Sequence, residues 1–252
     1  MSKSLTPASI AGLPIKKVIE RAPTINMLVY GKPGTGKTIL AGSASMVPEM
    51  SPVLLLDVEG GTNSLRNTYP QVDTIRITTW PDLLAVINSI ADGDHEYKTI
   101  IIDSLSEVQK LNMYYTMVRA KRDPMEEKAN WDDWGINLES MRNFIRITRD
   151  LPYHVIWTAL LDEEKDNKTG RLLKNPYFTG KFKREISAVP DEVLFYYMKE
   201  IYNEELDEEV TTRVLLTTAT DDVTAKDRSG ALPQVILSPT MEMLYKLMVT
   251  DN

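Results

Sequence analysis

The sequence predicts an α/β fold in which helices flank a mostly parallel central sheet. Short runs rich in apolar and β-branched residues recur from residue 25 onward: INMLVY, PVLLLDV, DTIRIT, TIIIDS and HVIWTAL. Continuous apolar runs of this kind are typical of strands that are covered on both faces, as in a parallel sheet. Helical stretches separate the runs, and strands that alternate with helices over this length favour an α/β domain.

Four helices are predicted among these strands, over residues 37–46, 80–90, 105–120 and 134–149. Trp131 and Trp134 stand beside the start of the last helix, and we expect them in the core or the cap of that helix rather than as platforms for stacking bases. The pattern changes after residue 161. Residues 162–189 are charged, contain glycines and lack a clear period, which predicts a long excursion or hairpin above the sheet.

The C-terminal part predicts an antiparallel hairpin that extends the sheet. Its two strands are VLFYYMKEIY and VTTRVLLTTAT, separated by the acidic turn NEELDEE. A last strand, LPQVIL, precedes a short helix over residues 240–249. We expect residues 1–24 to form an N-terminal arm and residues 25–252 to form a single domain.

Composition and charge exclude several classes of protein. The net charge of −7 excludes a surface that is uniformly basic. The chain has no cysteine and two histidines that are far apart, which argues against thiolate nucleophiles, zinc sites and Ser-His-Asp triads. No apolar run approaches the ~20 residues of a membrane helix. The N-terminus, MSKSLTPASIAGLPIKK, lacks the apolar core of a secretory signal, so we expect a cytoplasmic protein with no membrane partner.

The strongest motif is GKPGTGKT, which fits G-x-x-x-x-G-K-[ST] directly after a predicted strand and at the start of a predicted helix. Glycines let the backbone curl closely enough to present N–H donors to phosphates. Lys37 places a positive charge at the β- and γ-phosphates, and the Thr38 hydroxyl can bind Mg²⁺. The motif predicts binding of ATP with Mg²⁺ by Gly31, Lys32, Pro33, Gly34, Thr35, Gly36, Lys37, Thr38 and Ile39.

A carboxylate at the end of another strand is the expected partner of the metal. TIIIDS supplies Asp103, and Ser104 could bond the same shell of water. The alternative is that Asp103 only caps the following helix, although a cap and a metal ligand are compatible. Thr38 and Asp103 are therefore the predicted metal residues.

Two carboxylates at the end of PVLLLDVEGG are candidates for the group that activates water. Alternation puts Asp57 and Glu59 on one face of the strand, with Glu59 further out toward the phosphate. We choose Glu59 as the general base and keep Asp57 as the second choice. The alternative for both is a solvated strand end.

The strand HVIWTAL carries Thr158 near its carboxyl end, where ligands bind in open α/β sheets. Thr158 is therefore a candidate sensor of the γ-phosphate. The alternative is that threonine is there as a good strand former.

In the order of these parts the chain resembles RecA-type ATPases, with the P-loop at residues 31–38, then LLLDVEGG, TIIIDS and VIWTA. A strand inserted between the P-loop strand and the metal strand separates this group from nucleotide monophosphate kinases. The segment AKDRSGAL resembles the Lys-x-Arg-x-Gly element of RecA and RadA relatives. The whole chain is similar to phage RecA-like ATPases of single-strand annealing and recombination.

This resemblance implies a RecA-like P-loop NTPase core with Glu59 as the base. It also implies that Lys226 and Arg228 reach the ATP of an adjacent subunit and stabilise charge that develops on the γ-phosphate. RecA proteins end the sensing strand in glutamine, whereas this chain has Thr158 there, so coupling to DNA does not transfer directly. If the chain is encoded by a phage, the expected compartment is the host cytoplasm.

A basic stretch within residues 162–189 is the predicted DNA-binding element. Residues 165–184 contain seven cations and one acid, a net charge of +6 in a chain of net charge −7. Tyr177 and Phe178 could stack on bases while the cations follow the backbone. The alternative is a charged, solvated hairpin. The cations are Lys165, Lys168, Arg171, Lys174, Lys181, Lys183 and Arg184, and a weaker second group is Arg119, Lys121 and Arg122.

Together these features predict an ATPase that acts on single-stranded DNA in annealing or strand exchange. The resemblance implies a homo-oligomer, either a ring or a filament, with a single-strand binding protein as a further partner. Two alternatives stay open: an ATP-dependent helicase loader or other nucleotide switch, and a small-molecule kinase that uses the basic stretch as a lid.

Overall fold

The computed structural model describes residues 9–11, 13–14, 24–167, 169–203 and 207–250. Apart from two short paired strands near the N-terminus, the strands of this part of the chain form one sheet. The strands are β1 (Ser9–Ile10), β2 (Leu13–Pro14), β3 (Asn26–Gly31), β4 (Val53–Asp57), β5 (Asp73–Arg76), β6 (Thr99–Asp103), β7 (His154–Lys165), β8 (Leu172–Pro176), β9 (Glu192–Asn203), β10 (Glu208–Leu216), β11 (Lys226–Asp227) and β12 (Val235–Leu237).

Six α-helices lie in the described residues, together with short 3₁₀ and π segments. The α-helices are α1 (Lys37–Gly42), α2 (Trp80–Asp92), α3 (Leu105–Arg119), α4 (Trp131–Arg149), α5 (Phe182–Glu185) and α6 (Met241–Tyr245). The 3₁₀ segments are Ser43–Met46, Thr62–Ser64 and Ile186–Ala188, and the π segment is Lys246–Thr250.

The sheet has the order β12-β10-β9-β3-β7-β6-β4-β5. The strands from β9 to β5 along this order all run parallel to one another, and β10 is antiparallel to both β9 and β12. This confirms the predicted α/β fold with a mostly parallel sheet and an antiparallel C-terminal hairpin. β7 lies between the P-loop strand β3 and the Asp103 strand β6, where the resemblance implies an inserted strand.

Two apolar layers cover the faces of the sheet because alternate residues of each strand point to opposite sides. On β3, Leu28 and Tyr30 pack in the layer that contains residues of α2, α3 and α4. Met27 and Val29 pack in the other layer, with residues of α1 and α6. Both faces of the central strands are therefore buried, which explains their continuous apolar runs.

Three expectations about these elements are wrong in part. β5 is exposed throughout, because it is the edge strand and, among the strands that the structure describes, pairs with β4 alone. The predicted helix over residues 37–46 is α-helical to Gly42 and continues as a 3₁₀ turn. The helix predicted over residues 240–249 is α-helical only to Tyr245 and then becomes a π segment.

The helix α4 begins earlier than predicted. Asn130 is its N-cap and forms a capping box with Asp133, so Trp131 is the first helical residue. The Trp131 side chain is 92% exposed, so of the two expected places, core or cap, Trp131 lies at the capped end of the helix. Trp134 is half-buried.

The segment over residues 162–189 includes a hairpin, as predicted. β7 continues out of the sheet to Lys165 and pairs antiparallel with β8, and the short α5 follows. Most of the predicted arm, including residues 1–8 and 15–23, lies outside the described residues. In the described part of the chain, no helix is long and apolar enough to cross a membrane.

Candidate functional site

The P-loop connects β3 to α1 and is held closely against its neighbours. A Cβ atom at Gly31 would lie 2.1 Å from the backbone oxygen of Tyr196 on β9, so only glycine fits there. Gly36 has a φ of +95°, a conformation that residues with a side chain rarely adopt. The glycines of the motif therefore allow both the packing of the loop on the sheet and its curvature.

The Lys37 ammonium is fixed inside the loop. It donates to the backbone oxygens of Gly31 and Lys32, each at 3.0 Å. Burial lowers the pKa of Lys37, and the carboxylates of Asp103 and Glu59 partly offset this effect. The loop thus holds the Lys37 ammonium in place at the position from which a P-loop lysine reaches the β- and γ-phosphates.

One carboxylate accepts hydrogen bonds from two threonines. Thr38 Oγ1 donates to Asp103 Oδ2 at 2.6 Å, and Thr158 Oγ1 donates to Asp103 Oδ1. Thr158 and Asp103 are both buried. The β7 residue predicted as a sensor therefore contacts the predicted metal carboxylate directly, which neither spacing nor motif order revealed.

The oxygen atoms at this point fit a hard divalent cation. Thr38 and Asp103 supply a hydroxyl and a carboxylate, and Mg²⁺ is bound by one or two such groups together with phosphates and water. The Ser104 hydroxyl is buried beside them and has no hydrogen bond of ordinary geometry to any residue that the structure describes, so it can accept one from a bound water. Among the described residues, no group of three or more acidic or histidine side chains is placed to hold a metal ion by itself.

Glu59 lies where the sequence predicts the base. Its pKa is raised above its ordinary value by burial first and by the nearby Asp103 carboxylate second, and Lys37 lowers it. The Ser104 hydroxyl also approaches closely enough to lower this pKa, although its geometry falls short of a hydrogen bond. A carboxylate with a raised pKa is better suited to accept a proton from water.

Asp57, the second choice for the base, is engaged elsewhere. Its Oδ1 atom accepts from the backbone N–H of Gly60 at 2.6 Å and lies 3.4 Å from Arg76 NH1. The side chain is buried and does not line the cavity described below. Asp57 thus shapes the turn that presents Glu59.

Arg213 on β10 is a site residue that the sequence analysis missed. It pairs with Met198, three residues beyond the point where β9 pairs with Tyr30 of β3, so it projects past the carboxyl end of the P-loop strand. Its Nε atom donates to the Thr35 backbone oxygen at 3.1 Å. The only sequence signal for Arg213 is that it is the single cationic residue of the predicted strand VTTRVLLTTAT.

These residues surround one cavity of about 430 Å³ at the carboxyl end of the sheet. Six of the nine predicted nucleotide-binding residues line it directly. The other three hold its wall: Gly31 and Lys32 bind Lys37, and Thr35 binds Arg213. The lining residues are Pro33, Gly34, Gly36, Lys37, Thr38, Ile39, Glu59, Gly60, Gly61, Ser64, Asp103 and Arg213.

Lys226 and Arg228 do not reach this cavity within the chain. β11 pairs with β9 at Glu192, which is opposite Met27 near the amino end of β3. These cations therefore lie near the amino ends of the parallel strands, whereas the cavity lies at their carboxyl ends. Arg228 forms an ion pair with Asp191, and Lys226 donates to the Ala188 backbone oxygen at 3.3 Å.

Two of the predicted DNA-binding cations form ion pairs with acidic residues. Arg171 pairs with Asp221, and Lys183 pairs with Asp162 and Glu164. Lys165, Lys181 and Arg184 are exposed, Lys174 is half-buried, and Lys168 lies outside the described residues. In the weaker group Arg122 pairs with Asp133, and Arg119 lies over the Tyr115 ring.

The proposed base-stacking pair also requires correction. Phe178 is 3% exposed and packs edge-on against Phe182, so it belongs to the core and cannot stack on a base. Tyr177 is half-buried, with the Lys110 ammonium 5.9 Å from its ring. The polar and apolar positions of this segment do not alternate regularly, which is why the sequence did not identify Phe178 as buried.

The phosphate loop, the carboxylate at the end of β6 and the cavity they share define a P-loop NTPase. The sequence matches the model of a family described as an AAA domain over residues 24–229, and the chain belongs to this family. No curated protein matches the chain.

Proposed function

We propose that this protein hydrolyses ATP with Mg²⁺ and acts on single-stranded DNA as a homo-oligomer, like the RecA-type annealing and recombination proteins it resembles. One observation carries the hydrolytic part: Lys37, Thr38, Glu59 and Asp103 border one cavity at the end of the P-loop strand. These are the groups that phosphoryl transfer to water requires.

Glu59 accepts a proton from the attacking water. Its raised pKa and its position across the cavity from the P-loop support this role. Asp57 is occupied by the Gly60 backbone and Arg76, which leaves Glu59 as the available carboxylate at the end of β4.

Lys37 and Arg213 neutralise charge on the phosphates. Both cations belong to the same subunit. Arg213 lies close beside Gly36: a Cβ atom added at Gly36 would be 2.9 Å from the Nε atom of Arg213. A preorganised cation stabilises charge that develops in the transition state more effectively than water does. Arg213 therefore supplies in cis what the resemblance assigns to Lys226 and Arg228 in trans.

Thr38 and Asp103 are the residues that would hold Mg²⁺, with the Ser104 hydroxyl as a partner for its water. When bound, the ion supplies positive charge to the phosphate oxygens. Thr158 fixes the orientation of Asp103 through its second carboxylate oxygen.

The DNA-binding part rests on the exposed cations of the segment that follows β7. Lys165, Lys181 and Arg184 are exposed in a chain of net charge −7. The ion pairs of Arg171 and Lys183 reduce the charge available to phosphates. Fewer contacts predict weak binding with a shallow dependence on salt.

The test is the rate of phosphate release from Mg-ATP with and without a single-stranded oligonucleotide, measured together with particle size. We expect DNA to raise the rate and to increase the size. If DNA changes neither quantity, the recombination function is wrong. Assembly that needs a protein partner but no DNA would favour the helicase loader, and transfer of phosphate to a metabolite would favour the kinase.

A further inference from the structure

A second cleft, of about 650 Å³, lies on the other flank of the P-loop. One wall is formed by Lys32, Pro33 and Thr35 of the loop, and another by the β7–β8 hairpin. The floor comes from β9 and β10. The cleft is thus separate from the cavity that contains Lys37, although both are bordered by the P-loop.

The floor of this cleft is aromatic. The rings of Phe195 and Tyr197 stack at 5.0 Å with an angle of 13°. The ring of Tyr30, the partner of Phe195 on the neighbouring strand β3, lies 5.2 Å from the Phe195 ring. Phe195 is buried, whereas Tyr197 is half-buried and reaches the cleft. Met198, 48% exposed, stands at the rim. A planar apolar group can stack on the Tyr197 ring, whose orientation is fixed by its contact with Phe195.

The cleft also carries a cation. The Lys174 ammonium lies 6.0 Å from the centre of the Phe195 ring and forms no ion pair with any described residue. The nearby acid, Glu163, is paired with Lys32 at 3.1 Å. One positive charge is therefore left over beside the aromatic floor.

The backbone at Lys174 is fixed in place. Its N–H donates to the backbone oxygen of Asp222 at 2.7 Å, and its carbonyl accepts from the Thr224 N–H at 3.0 Å. The Tyr30 hydroxyl donates to the Thr224 backbone oxygen and lies 3.2 Å from the Lys174 carbonyl oxygen. Because Tyr30 belongs to β3 directly before the P-loop, the position of Lys174 is tied to the strand that carries the nucleotide loop.

We propose that this cleft binds one nucleotide of a single-stranded DNA, with the base stacked on Tyr197 and its phosphate held by Lys174. A planar group next to an anion is what an aromatic floor with one unpaired ammonium accommodates, and stacking is tolerant of sequence. The inference rests on the proposed action on DNA. The Lys32–Glu163 ion pair joins the P-loop to the β7–β8 hairpin, and residues of both segments line the cleft.

The test measures binding of a fluorescein-labelled oligothymidylate by anisotropy, in the presence of Mg-ATP and over a range of salt. We expect Tyr197→Leu to weaken binding about 5- to 50-fold, and Tyr197→Phe to bind like the wild type because it keeps the ring. Lys174→Gln should weaken binding and lower the salt slope by about one unit.

Matched controls are Tyr114→Leu, an exposed tyrosine on α3, and Lys199→Gln, an exposed lysine further along β9. Both should bind like the wild type. ATP turnover without DNA should be unchanged in all variants, which shows that they fold.

The outcomes separate this proposal from the function on which it rests. If the wild type binds the oligonucleotide and both Tyr197→Leu and Lys174→Gln bind equally well, the cleft proposal alone is wrong. If the wild type does not bind it, both fail. If thymidine monophosphate displaces the oligonucleotide at equal nucleotide concentration, the cleft takes a free nucleotide and its assignment to DNA is wrong.

Discussion

The Thr38 hydroxyl donates a hydrogen bond to Asp103 Oδ2 over 2.6 Å, and so joins the end of the P-loop to the end of β6. These two residues are 65 positions apart in sequence. β7 lies between their strands, and Thr158 of that strand donates to the other oxygen of the same carboxylate. The start of α1, the end of β6 and Thr158 of β7 therefore meet at the proposed metal-binding position.

Loss of the Thr38 hydroxyl should impair hydrolysis through the metal. We expect Thr38→Ala to lower the turnover of ATP by about 100-fold or more and to raise the Mg²⁺ concentration needed for half the maximal rate, because one oxygen ligand is lost. Thr38→Ser keeps the oxygen and should retain most of the activity. Equal Mg²⁺ dependence in Thr38→Ala and the wild type would contradict this assignment.

Thr158 should act through Asp103. Thr158→Val keeps the shape of the buried side chain but removes the donor to Asp103 Oδ1, so we expect kcat to fall roughly tenfold with little change in KM. Thr158→Ser should restore the rate. A Thr158→Val enzyme with wild-type kcat would show that this threonine is present only as a strand former.

Arg213 should bind the nucleotide in its own subunit. We expect Arg213→Gln to raise KM for ATP about tenfold or more through the loss of a charged contact, whereas Arg119→Gln on α3 should have no effect. Isothermal titration with a non-hydrolysable ATP analogue measures the affinity separately.

Mixed oligomers distinguish a cation in cis from one in trans. Arg213→Gln subunits mixed with Lys37→Ala subunits should recover no activity, because no subunit then has both cations. Recovery in that mixture would overturn the role of Arg213 in cis. Arg228→Ala subunits mixed with Lys37→Ala subunits recover activity only if Arg228 reaches across an interface.

Glu192 should make the stability of the protein depend on pH. Burial, with the neighbouring carboxylates of Asp191 and Asp227, raises its pKa to about 8, while the Ser229 N–H and Lys226 lower it. Between the ordinary pKa of 4.5 and this value the folded state holds more protons than the unfolded state, so the free energy of unfolding falls as pH rises from about 5 to 8.

The matched variant is Glu192→Gln, which cannot ionise. At pH 8 we expect it to be more stable than the wild type by about 1 to 3 kcal/mol, with the difference shrinking toward pH 5. Urea unfolding at several pH values measures this. A parallel pH dependence of the two proteins would show that Glu192 is not the group responsible.

The parts of this molecule that local sequence specifies were predictable. The glycines of the P-loop, the apolar runs of β3, β4, β6 and β7, and the carboxylates at strand ends each have a local pattern that requires them. The sequence indicates both Asp57 and Glu59 as candidates, and their roles are separated by contacts of the fold. Asp57 accepts from the Gly60 N–H and lies beside Arg76, whereas Glu59 lines the cavity.

Features that depend on pairing between distant segments were not predictable. Arg213 reaches the P-loop only because β10 pairs with β9 and β9 pairs with β3. The charge of residues 165–184 suggested one basic patch, whereas Asp221 and Asp162, which lie outside that window, neutralise part of it. A count along the chain cannot include acids that the fold brings alongside.

The central claim is that Glu59 activates water at the P-loop cavity, and release of inorganic phosphate from Mg-ATP by Glu59→Gln tests it most directly. We expect this variant to bind ATP like the wild type but to release phosphate at least 100-fold more slowly, because the glutamine amide cannot accept a proton from the attacking water. The acidic limb of the wild-type pH profile should lie above the ordinary pKa of a glutamate. Phosphate release at the wild-type rate by Glu59→Gln would contradict the account.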